Sequence, residues 1–283
     1  MSLTQSNHAP GVAGSACPDT LGREVTLDGE PLAADALMPL ALANLGHFTS
    51  MRVDADGGIR GLALHMERLA RDCRSVWGAD LNTGRVRTYI RQALDGRRGP
   101  CVVRVTVYDP KVDIGWPAKV GEPRVLLSLR GVGSTTSAPL RVMSVPYERD
   151  LPEVKHVGLC GALHARRTAQ LAGFGDALFV GRDGFVSEGV TWNVGFVNQD
   201  GTIVWPKATV LPGVTMVLLQ QLTEHQVATI TLQQAKGMAA AFATNASIGV
   251  RALSTIDESE LPTDHAALGE LHEMYSSIPG ERA

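Results

Sequence analysis

The stretch 151–170, LPEVKHVGLCGALHARRTAQ, sets one lysine, Lys155, between an extended, proline-containing segment and an alanine- and leucine-rich helix. The chain has five lysines (Lys111, Lys119, Lys155, Lys207 and Lys236) against twenty-one arginines, so arginine carries its positive charge. A lysine in this setting needs its own explanation. An amine that loses its proton when desolvated does chemistry that a guanidinium cannot.

Outward from that lysine, the pattern predicts a helix over 158–172, preceded by a strand in LRVMSVPY and followed by two hairpins. The first, DALFVGRDGFVSEG, turns at Asp183-Gly184; the second, NVGFVNQDGTIVWP, turns at Asp200-Gly201. Residues 213–224 and 263–275 read as helices. Upstream, CVVRVTVY (101–108) and RVLLSLR (124–130) read as strands, and 83–95 as a helix. Residues 65–77 place Met66, Leu69, Ala70, Cys73, Val76 and Trp77 on one helical face. FTSMRVDADGGIRGLALH reads as two strands around a turn, and FATNASIGV as a polar loop between apolar flanks. The uncharged segment GVGSTTSAP, 131–139, is the expected linker between an N-terminal domain (23–130) and a C-terminal one (140–283). Mixed, hairpin-rich α and β in two lobes gives an α/β (α+β mixed) fold class.

The bulk numbers narrow the function. With 283 residues, 44% apolar and 19% charged, the chain reads as soluble and globular. A net charge of −3 argues against a nucleic-acid partner. No apolar run approaches the ~18–20 residues of a membrane span. The start, MSLTQSNHAPGVAGSACPDT, lacks the basic and apolar parts of an export signal and reads as a disordered tail over 1–22. Cys17, Cys73, Cys101 and Cys160 form no Cys-x-x-Cys pair, and the histidines no His-x-x-x-His pair. The reading is therefore reduced thiols, a cytoplasmic location and no metal. No Gly-x-Gly-x-x-Gly or Walker loop follows a strand.

After Lys155 come three further features: SEGVTWN with Glu188 and Asn193, LPGVTM opening a helix at Val214 and Thr215, and Thr244-Asn245-Ala246-Ser247. Singly, each has an ordinary reading as a surface lysine, a turn carboxylate, a helix entry or a polar turn. In order, with GHFTSMRVDADGGIRGLALHMERL upstream, they resemble the class IV aminotransferase family of pyridoxal-phosphate enzymes, over about residues 25–257. That family includes branched-chain and D-amino-acid aminotransferases and aminodeoxychorismate lyase.

The resemblance implies fold-type IV, with a smaller N-terminal α/β sandwich, a larger C-terminal pseudo-barrel and the cofactor, pyridoxal 5'-phosphate, between them. It implies a homodimer. Lys155 would hold the cofactor as a Schiff base and serve as base and acid, with Glu188 on the pyridinium nitrogen. Arg68, in HMERL between solvated-looking Glu67 and Arg71, would clamp the phosphate with Asn245 and the helix start at Val214 and Thr215. Asn193 belongs to the same set. Thr49, Arg104 and Trp192 are candidates for the substrate side, Trp192 being equally a core aromatic. An amino donor and a 2-keto acid are the implied partners.

Departures bear on the reaction. Cys160 stands where aminotransferases often carry a tyrosine, either as a cofactor contact or as a small buried helix residue. Lyases share the Lys-His pair, but KHVGLC lacks their following Asn and Arg. The strand ending Arg-Gly is replaced by Tyr108-Asp109, and the loop 109–123, with Lys111 and Lys119, is a candidate wall or lid. The expectation is a transaminase, with a pyruvate-releasing lyase as the alternative. A decayed, regulatory relative is the third reading; the intact Lys155, Glu188 and Arg68 argue against it.

Overall fold

The computed structural model describes residues 25–119, 121–132 and 138–283. The expected tail over 1–22 and most of the expected linker, 133–137, lie outside them. The chain builds two sheets, mixed with helices as expected.

The first sheet joins β1 (Val25–Leu27), β2 (Glu30–Pro31), β3 (His47–Val53), β4 (Cys101–Tyr108) and β5 (Arg124–Gly131) in the antiparallel order β2-β1-β5-β4-β3. Helix α1 (Met38–Ala43) precedes β3 and buries none of its residues. Helices α2 (Leu62–Trp77) and α3 (Thr83–Leu94) cover one face. Alternation along the strands sends Met51, Val53, Val103, Val105, Leu127 and Leu129 to that face, against Leu69, Cys73, Trp77 and Ile90. The other face carries Phe48, Ser50, Arg104, Thr106 and Arg130. That face turns toward the second sheet.

The second sheet uses β6 (Leu140–Pro146), β7 (Asp176–Val180), β8 (Val186–Gly189), β9 (Asn193–Val197), β10 (Ile203–Pro206), β11 (His225–Ala228), β12 (Ala240–Asn245), β13 (Gly249–Ile256) and β14 (Ser259–Glu260). Its order is β11-β10-β9-β12-β13-β6-β7-β8, with β14 on β13. Helix α4 (Cys160–Leu171) crosses from β6 to its parallel neighbour β7. The segment leaving β6 therefore delivers Lys155 to the end of the sheet before α4 begins. α5 (Val214–Leu222) and α7 (Ala266–Ser277) bury Leu219, Leu271 and Tyr275 against Trp205 and Phe242; α6 (Leu232–Lys236) is short and closed by a capping box at Thr231.

The structure corrects two sequence expectations here. FTSMRVDADGGIRGLALH holds one strand, β3; Ile59 makes only an isolated bridge to Glu281, and Gly61 at φ +66° starts α2. A Cβ on Gly61 would sit 2.7 Å from Val214 Cγ1, so the glycine lets α2 approach the start of α5. FATNASIGV is no free loop: Phe242–Asn245 finish β12, which pairs with β13 through Asn245↔Gly249.

Candidate active site

A cavity of about 300 Å³ lies between the two sheets. Phe48, Ser50, Arg104 and Arg130 line it from the first sheet, Arg68 from α2, and Lys155, Glu188, Asn193, Val214 and the 244–247 turn from the second lobe. Six of the residues expected to bind the cofactor, Arg68, Lys155, Glu188, Asn193, Val214 and Asn245, thus meet there with two of the substrate-side candidates, Trp192 and Arg104.

Both backbone groups of Lys155 are held. Its N–H donates to Asp72 Oδ2 at 3.0 Å, and its C=O accepts from the Phe48 N–H at 2.8 Å. Its ammonium lies 5.0 Å from the Phe48 ring centroid. Burial, then the charges of Arg68 and Arg149, lower its pKa to about 7, with Glu188 pulling the other way. Glu188, on β8, is 4% exposed. Burial raises its carboxyl to about 7, opposed by Arg149, whose Nη1 donates to Oε1 at 3.3 Å. The Asn193 amide donates to Leu211 O at 2.8 Å and reaches Glu188 Oε2 at 3.5 Å. A Cβ on Gly213 would fall 2.0 Å from Asn193 Oδ1, so the Pro212-Gly213 entry to α5 fits only a glycine without rearrangement.

Arg68 is 6% exposed, unlike its neighbours Glu67 and Arg71. Its Nη2 donates to Pro212 O at 2.5 Å, while its Nε is buried without a partner. Thr244 Oγ1, also facing the cavity, is a second buried polar atom with no partner. Two unpaired hydrogen-bonding groups beside a helix N-terminus suit an anion such as a phosphate. Asn245 lines the cavity too, but its Oδ1 accepts from the Ser247 and Ile248 N–H groups and its Nδ2 donates to Thr191 O. It shapes the turn.

Other expected residues fall differently. Thr49 faces away from the cavity: alternation gives that face to Phe48 and Ser50, and Thr49 Oγ1 bonds His65 Nδ1 at 2.7 Å. Burial, with Arg68 and Lys155 nearby, keeps His65 well below its usual pKa. The Thr215 hydroxyl is buried 3.5 Å from Tyr275 Oη, leaving its backbone at the helix start. Trp192 belongs to the core and also lines the cavity. Its indole N–H donates to Asp176 Oδ2 at 2.9 Å. Cys160 is exposed, not buried, since it begins α4 on the outer side. None of the described residues of 109–123 lines the cavity. Asp109 accepts from the Lys111 and Gly121 N–H groups and folds that loop on itself, and the Tyr108 hydroxyl donates to Ala36 O.

Arg149, Asp72 and Arg130 were not singled out in the sequence, and Thr244 was named there only as part of a polar turn. Arg149 lies 39 residues from Glu188 and Asp72 83 residues from Lys155, with no motif linking either pair.

The model for the amino-transferase class IV family matches residues 46–256, and the chain belongs to that family. The branched-chain aminotransferase of Thermoproteus uzoniensis, solved with norvaline, is 20% identical with a TM-score of 0.79, covering 89% of this chain and 93% of its own. A hypothetical aminotransferase from Mycobacterium tuberculosis in its PLP-bound form is 16% identical, with a TM-score of 0.76 and coverage of 90% and 98%. A putative 4-amino-4-deoxychorismate lyase from Legionella pneumophila is 20% identical, with a TM-score of 0.73 and coverage of 84% and 93%. No curated protein matches significantly. The fold is thus that of the fold-type IV enzymes, whose cofactor is pyridoxal phosphate.

Proposed function

We propose that the chain is a pyridoxal-phosphate-dependent transaminase moving an amino group between an amino acid or amine and a 2-keto acid. The observation that carries this reading is Lys155, lowered to about 7 and facing buried Glu188 in one cavity. Arg68, Thr244 and the backbone at Val214 and Thr215 hold the phosphate, and Glu188 holds the ring nitrogen. Arg149 and Asn193 fix that carboxylate in place. When bound, the cofactor supplies an electron sink for the substrate's α-carbon. Lys155 Nζ anchors the cofactor, then takes the α-proton and returns it; with a pKa near 7 both of its protonation states are accessible. The two lobes divide within 131–139, and the enzyme works as a homodimer in the cytoplasm.

The second reading, a lyase that releases pyruvate, is favoured by Cys160 in place of a tyrosine and by the Lys155-His156 pair. The two readings separate on the acceptor. With a transaminase, an amino donor alone converts bound cofactor to pyridoxamine phosphate, one per site, and a 2-keto acid restores it. Sustained pyruvate release from aminodeoxychorismate with no acceptor would move the assignment to the lyase.

A further inference from the structure

Five cationic side chains line the cavity (Arg68, Arg104, Arg130, Arg149 and Lys155) against one carboxylate, Glu188. On the reading proposed above, Arg68 answers a phosphate, Arg149 already pairs with Glu188, and Lys155 works through its neutral amine. Arg104 and Arg130 remain. Among the described residues no carboxylate forms an ion pair with either.

Their placement is built. Arg104 pairs across β4 and β5 with Ser128, and Val102 with Arg130, so the two guanidinium groups rise from adjacent strands as diagonal neighbours on one face. The Arg104 guanidinium lies 3.6 Å from the Phe48 ring centroid, and its Nε donates to Thr106 Oγ1 at 3.3 Å. Stacked and tethered, it offers its remaining N–H groups in a fixed fork. Arg130 also lines the cavity and is the more exposed of the two. Burial and the charge of Arg130 both lower the pKa of Arg104, so the pair repels itself until an anion joins it.

We propose that Arg104 and Arg130 are the specificity-determining pair of this site. Arg104 takes the carboxylate common to all amino and keto acids, and Arg130 takes a second acidic group. The substrate class is therefore dicarboxylic. Apolar side chains are disfavoured. This inference rests on the transaminase-fold reading of the cavity and is independent of the choice between transaminase and lyase.

The test titrates holoenzyme calorimetrically with glutarate and with pentanoate, unreactive acids of equal length carrying two carboxylates and one. Wild type is expected to bind glutarate at least tenfold more tightly, the scale of one charge-assisted hydrogen bond. Arg130→Met removes that preference and leaves pentanoate binding within about twofold, with Arg130→Lys intermediate. Arg104→Met weakens both ligands, and retained cofactor absorbance shows that each variant is folded. Equal affinities in wild type, or an unchanged glutarate preference in Arg130→Met, would overturn the proposal while leaving the cofactor reading intact. A protein that holds no cofactor on Lys155 would overturn both.

Discussion

Lys155 and Glu188 carry opposite perturbations with one cause, since burial disfavours the charged form of each. Only a neutral amine attacks an aldehyde, so with Lys155 as the proposed anchor its pKa would set the pH at which the cofactor is captured. Capture by the cofactor-free protein is expected to accelerate as pH rises through about 7 and then level off, followed by absorbance in stopped flow. A rate that keeps climbing to pH 10 would assign Lys155 an ordinary lysine environment. Glu188→Gln keeps the shape and removes the charge beside Arg149. It is expected to keep cofactor bound and to slow α-proton removal about a thousandfold, roughly 4 kcal/mol of lost stabilisation. Near-wild-type single-turnover rates would exclude Glu188 from the chemistry. That these two residues meet in one cavity was legible only through the family resemblance, since singly each had an ordinary reading as a surface lysine or a turn carboxylate. Thr49 was a candidate through the resemblance alone, and the alternation along β3 gives the cavity to Phe48 and Ser50 instead.

At the scale of elements, α2 joins the core to the site. Leu69 packs beneath the first sheet, whereas Arg68 and Asp72, one turn apart, reach the second lobe. Leu69→Ala is expected to cost about 2–5 kcal/mol through its cavity. Asp72→Ala is expected to cost about 1–3 kcal/mol by leaving the Lys155 N–H without its acceptor. Urea denaturation measures both, and cofactor capture separates them: Asp72→Ala slows it and Leu69→Ala does not. Equal capture rates would reduce Asp72 to a structural group. Helices with clear periodicity, such as α2 and α3, were legible, as were hairpins with Asp-Gly turns at β7–β8 and β9–β10. The β12–β13 hairpin was not. Its MAAAFATNASIGVRAL carries helix-favouring alanines and a polar turn, and the neighbours β9 and β6 decide that it is sheet.

On the scale of the whole molecule, neither sheet makes a cavity alone. The first supplies arginines and an aromatic ring, the second supplies the lysine and carboxylate, and α2 spans the two. α1 leaves Met38 53% and Leu42 70% exposed, and the proposed homodimer is expected to cover them. Sedimentation equilibrium is expected to give twice the chain mass, and Leu42→Asp to shift it toward the monomer; a wild-type monomer would contradict the dimer. Arg130 and Arg149 could not be read from sequence for the same reason: they enter the site through sheet register and lobe packing, across long separations. This packing is what would make Lys155 the cofactor's anchor. Borohydride reduction of the holoenzyme followed by peptide mass mapping tests it most directly. The phosphopyridoxyl group is expected on Lys155 alone; its appearance on Lys111, Lys119, Lys207 or Lys236 instead would contradict the account.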